Sequence, residues 1–140
     1  MSPKIKYFLL NKFDNHIFDF LKNAHVIFQL IDAKTIVSEV QVLEAIRKTD
    51  RYISHNEKIR FPGTVLLMYL AKTNQIDVAL KRCGISEKTK RGIVVYTDYK
   101  DINLLVDMNY IKITEKFLPY DMPEYDFDVF SAMAKIDLTF

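Results

Sequence analysis

Ile59 to Ile85 reads IRFPGTVLLMYLAKTNQIDVALKRCGI, and this stretch decides how the chain is organised. Pro62 suits the first turn of a helix, where its missing N–H costs nothing, and the run VLLMYLA behind it predicts a buried helix. Thr73 and Asn74 are candidate caps for a further helix, and Gly84 is a candidate left-handed terminator for it. With successive residues about 100° apart, Ile76, Ala79, Leu80 and Cys83 share one arc and are expected to face a core. Asn74, Gln75, Val78, Lys81 and Arg82 fall on the opposite side. Two amides and two cations around one small apolar residue are a mixture that can hold phosphates and touch bases. An ordinary solvated helix face has the same composition, and periodicity alone does not separate the two readings.

Working outward, Lys4 to Leu10 predicts a strand, and a short amphipathic segment follows around Ile17, Phe18 and Leu21. HVIFQLI at His25 to Ile31 is a near-continuous run of β-branched, aromatic and other apolar residues, which predicts a buried strand. Ser38 and Gln41 have capping-box spacing, and the apolar pattern of Val40, Leu43, Ile46 and Ile53 carries a helix to about Tyr52. On the other side, GIVVY at Gly92 to Tyr96 predicts a third strand, and Asp98 an N-cap for a helix through Leu104 to Met108. Pro119 and Pro123 break the chain before a last apolar pattern containing Phe127, Phe130 and Met133. The order is that of an α+β fold, with a small, mainly antiparallel sheet of about three strands surrounded by several helices.

Three glycines and four prolines in 140 residues leave no Gly-rich phosphate loop and no flexible linker, and 49% apolar residues suffice for a core. One domain over residues 1–140 is expected. KIKYFLLNKF near the start is too short an apolar run for a signal peptide or a membrane span, so a cytoplasmic protein without membrane contact is expected. Cys83 is the only cysteine, which excludes an internal disulfide and a cysteine-rich zinc site. His16, His25 and His55 are scattered, with no second ligand at HxxxH or HxxE spacing. No GxSxG, GxxxxGK or GxGxxG occurs, and Asp32, Glu44 and Asp98 stand in no spacing that pairs them with a base or a nucleophile. The sequence therefore predicts no catalytic residue, no metal and no cofactor.

The net charge of +2 conceals a division: Lys81 to Arg91 holds five basic residues and one acid, Glu87. Phe117 to Phe140 holds Asp121, Glu124, Asp126, Asp128 and Asp137 against Lys135 alone. One region can attract a polyanion while the other repels it, which would orient a nucleic acid on the surface.

Four blocks carry a resemblance over most of the chain: VIFQLIDAKTI at Val26 to Ile36, LLMYLAKTNQIDVALKRCGI at Leu66 to Ile85, VVYTD at Val94 to Asp98, and MAKIDL at Met133 to Leu138. The sequence resembles the small accessory-subunit family of the KEOPS complex, known in animals as the PRPK-binding protein. The second block is the most specific, with Gln75 and Ile76 leading a helix that contains Ala79 and ends in Gly84 and Ile85. The family often has Arg before that Gln where this chain has Asn74, and Lys72 and Arg82 are near enough to substitute. The resemblance implies a non-enzymatic subunit that binds the complex's small kinase/ATPase, and through it the rest of the complex. It also implies a grip on the 3′ CCA end of tRNA while threonylcarbamoyl is installed on the adenosine next to the anticodon. The residues expected to face RNA are Lys72, Asn74, Gln75, Lys81 and Arg82, then Lys88, Lys90 and Arg91. A protein-binding adaptor whose basic face is only solvated is the alternative. The kinase contact is expected at whichever of Phe127, Phe130 and Met133 face outward, because a helix of about ten residues cannot turn all of its large apolar side chains toward one core; anchoring of that terminal helix in the core is the alternative.

Overall fold

Alternation along the strands gives the sheet two apolar faces, and both are covered. The computed structural model describes residues 2–23, 25–56 and 61–121. Strands β1 (Lys4–Leu10), β2 (Gln29–Asp32), β3 (Arg91–Tyr96) and β4 (Ile111–Thr114) lie in the order β2-β3-β1-β4. All three pairings are antiparallel, so the expected α+β fold is present. Tyr7, Ile31, Ile93 and Val95 point to one face, where they meet Val42, Ala45, Leu66 and Met68. Phe8, Leu30, Val94 and Tyr96 point to the other, against Ile17, Ile102 and Leu105. Helices α2 (Glu39–Ser54), α3 (Pro62–Ala71) and α4 (Ile76–Cys83) form the first layer. The shorter α1 (Ile17–Phe20) and α5 (Tyr99–Asp107) form the second.

The sheet has four strands, one more than expected. The fourth, IKIT, escapes a reading by hydropathy because it is four residues long and lies at an edge with only Ile111 buried. The second strand is shorter than its apolar run: Ile27 and Phe28 are buried, yet pairing begins at Gln29. Just before it, the Ile27 carbonyl accepts a hydrogen bond from the Thr97 hydroxyl at 3.1 Å, beyond the end of β3, and the Phe28 carbonyl lies against Gly63 at the start of α3. Local chemistry sets the helix starts. The Ser38 hydroxyl accepts from the Gln41 N–H at 3.4 Å, while the Gln41 side chain reaches back one residue beyond a standard capping box, to the Val37 N–H at 3.0 Å. Asp98 caps α5 by accepting from the Lys100 N–H at 2.9 Å. In α3 every residue except Thr64 is buried, which makes it the central helix of its layer.

Candidate functional site

Because α3 is enclosed on all sides, the chain has to leave it at the surface, and the turn that follows carries Lys72, Asn74 and Gln75, three of the residues expected to face RNA. Lys72 adopts a left-handed conformation, φ 56° and ψ 48°, at the position where glycine is commonest. Its N–H is bound by the Met68 and Tyr69 carbonyls, and the Thr73 N–H also reaches Met68, at 3.1 Å. The Thr73 hydroxyl accepts from the Gln75 N–H at 3.1 Å. Gln75 is the N-cap of α4 and gives no side-chain cap, so Thr73 and Asn74 shape the turn without capping the helix as expected. Asn74 and Gln75 are both exposed.

The buried face of α4 differs from the expected one. Ala79 and Cys83 are buried, but Ile76 and Leu80 are each 45% exposed. Small side chains explain the rotation: α4 packs on α3, and Ala79 and Cys83 permit a close approach that isoleucine and leucine would hold apart. The outer surface therefore combines Ile76 and Leu80 with Lys72, Asn74, Gln75, Asp77 and Lys81. Arg82 is exposed but engaged, its Nη1 donating to the Ala71 carbonyl at the end of α3 at 3.0 Å. Gly84 is extended at φ −74° and ψ 161°, not left-handed; the glycine is needed because a Cβ would stand 2.6 Å from the Leu80 carbonyl.

The basic stretch continues on the loop into β3. Thr89, buried, accepts from the Ser86 N–H at 2.9 Å and donates its hydroxyl to Asp32, so the loop is fastened to the end of β2. Lys88 and Lys90 are exposed on it. Arg91 opens β3 with its guanidinium 4.3 Å from the centre of the Phe117 ring, which itself packs edge-on against Tyr7 at 4.7 Å. The structure thus gathers Lys72, Asn74, Gln75, Lys81 and Arg82 around α4 and places Lys88, Lys90 and Arg91 on the following loop and strand. Phe127, Phe130 and Met133 lie outside the described residues.

Three participants escaped the sequence reading. Ile76 and Leu80 read as core residues by hydropathy and stand at the surface instead. Lys34 sits in the 3-10 turn Ala33–Thr35 after β2, and its Nζ donates to the Lys81 carbonyl at 3.2 Å. No motif marks it, because 47 residues separate the two partners. Beneath this surface, burial pushes the Cys83 thiol up in pKa, while Thr35, at 3.5 Å, and the charges of Lys34, Arg82 and Lys72 pull the other way. The balance keeps the thiol protonated and inert. Among the described residues no three His, Cys, Asp or Glu side chains converge on a metal-sized space, and no helix is long and apolar enough to cross a membrane.

A family model described as kinase binding protein CGI-121 matches residues 4–133. Comparison with curated proteins finds no match.

Proposed function

Because this chain belongs to the kinase binding protein CGI-121 family, that of the KEOPS accessory subunits, we propose that it is a non-catalytic adaptor which holds the 3′ CCA end of tRNA. In this reading it also binds and stimulates the small kinase/ATPase of a cytoplasmic tRNA threonylcarbamoyladenosine complex, whose other subunits it meets through that kinase. One observation carries the RNA part. The turn between α3 and α4 presents Lys72 with the free amides of Asn74 and Gln75, and the outer face of α4 that follows presents Ile76, Leu80 and Lys81. A single-stranded RNA end needs cations for its phosphates and amides and apolar surfaces for its unstacked bases. The kinase contact is proposed at Phe127, Phe130 and Met133, where large apolar side chains exceed what one core-facing stripe can take.

Titration with intact tRNA and with tRNA trimmed of CCA, at two salt concentrations, tests the RNA reading. Trimming should weaken binding, and equal affinity for the two RNAs would sink it. Reversing charge at Lys72 and Lys81 together should flatten the salt dependence by roughly 0.7 per lost phosphate contact on a single strand. The competing reading, an adaptor that contacts protein alone, draws support from Arg82 and Arg91, whose guanidiniums are occupied by Ala71 and Phe117. It requires tRNA affinity at the level of any weakly basic protein. For the kinase, the measurement is ATP turnover by the partner with and without this chain. Turnover by the rigorously purified chain alone would contradict the adaptor role.

A further inference from the structure

Two helices end at this surface, α3 at Ala71 and α4 at Cys83. A helix C-terminus leaves carbonyls unpaired and carries partial negative charge, so each of these ends repels phosphate. Each end here is covered by a cation from elsewhere in the chain. Arg82 donates to the Ala71 carbonyl at 3.0 Å, and Lys34 donates to the Lys81 carbonyl at 3.2 Å. Arg82 is one of the residues that sequence points to; Lys34 is not. Its backbone is held firmly, since the Asp32 carboxylate, buried at the end of β2, accepts from the Lys34 N–H at 2.9 Å and from the Thr89 hydroxyl. Its side chain is exposed and faces no carboxylate within ion-pair distance among the described residues.

We infer that Lys34 is a phosphate-contacting residue of the α3–α4 surface, joining Lys72 and Lys81 there. An ammonium has three donors; one is spent on the Lys81 carbonyl, leaving two for phosphate oxygens. The contact does two things at once. It cancels the negative end of α4 that an approaching phosphate would meet, and it adds a positive charge on the side of α4 reached from β2. The assignment rests on the RNA reading above.

The test compares the intact chain with Lys34→Gln and Lys34→Arg in titrations with CCA-ended tRNA over a range of salt, alongside thermal melts. Lys34→Gln keeps a donor for the Lys81 carbonyl and loses only the charge. It should melt like the parent, bind tRNA several-fold more weakly at low salt, and show a salt slope smaller by roughly 0.7. Lys34→Arg should restore the slope. If the intact chain binds tRNA and Lys34→Gln keeps both its affinity and its slope, Lys34 does not touch phosphate and the inference falls while the RNA reading stands. If the intact chain does not distinguish CCA-ended from trimmed tRNA, the RNA reading fails first and takes this assignment with it.

Discussion

Lys72 occupies a left-handed backbone conformation that costs an L-residue roughly 1 kcal/mol and costs glycine nothing sterically. Such strain persists where something other than stability retains the side chain. Lys72→Gly should therefore stabilise the fold by about 0.5 kcal/mol, the relief being partly offset by the freer unfolded chain, and should weaken tRNA binding. Urea midpoints and RNA titrations on the same variant read both effects, and a loss of stability would show that the lysine makes an unsuspected packing contribution. A second residue governs alkaline behaviour. Burial, then the hydrogen bond with Tyr99 and its charge, push the Tyr96 hydroxyl up to about 12 from an ordinary value near 10. The folded state holds that proton while the unfolded chain releases it. Stability from this group is complete below pH 10 and falls as pH rises toward 12. Melts of Tyr96→Phe across that window should decline less steeply than those of the parent, with Tyr7, Tyr69 and Tyr110, whose hydroxyls are likewise raised by burial, contributing to the decline that remains.

Among the elements, those fixed by short-range chemistry were legible in the sequence and those fixed by distant partners were not. Ser38 with Gln41, Pro62 and Asp98 mark helix starts correctly because a cap acts within three residues. Hydropathy gives α4 the wrong phase because it weights Ile76 and Leu80 heavily, whereas the close approach of α3 favours Ala79 and Cys83. The basic surface was recognisable as a cluster of residue types, but its apolar centre and Lys34 depended on that phase and on a contact across 47 positions. The observed phase has a measurable consequence. Ile76→Asn and Leu80→Asn should each change stability by no more than about 0.5 kcal/mol, as exposed positions do, while weakening tRNA binding. Ala79→Leu, on the buried side, should cost about 1–3 kcal/mol by forcing α4 off α3. If the ranking came out reversed in denaturant titrations, the helix would face the other way in solution.

In the molecule as a whole, Gly92 stands where β3 passes between β1 and β2 with no room for a side chain. A Cβ there would overlap the Ile31 carbonyl of β2 and stand 2.8 Å from the Phe8 ring of β1. Gly92→Ala should cost about 3 kcal/mol and lower the melting temperature as one cooperative loss, seen equally by probes on either face of the sheet. Separate transitions for the two faces would refute that unity. The strand order also governs how the chain comes together in time. β1 finds its partners only in β3 and β4, and β2 finds its own in β3, so every pairing joins segments far apart in the sequence and no tight hairpin forms. A ribosome must deliver residues 91–96 before any of the sheet can close, and until then Lys4–Leu10 and Gln29–Asp32 are apolar strands without partners. Pairings that span 60 or more residues are slow to form and exposed to misassociation while they wait. The first two-thirds of this chain therefore wait without a closed sheet, and α2 and α3 gain one to pack on only when the last third arrives.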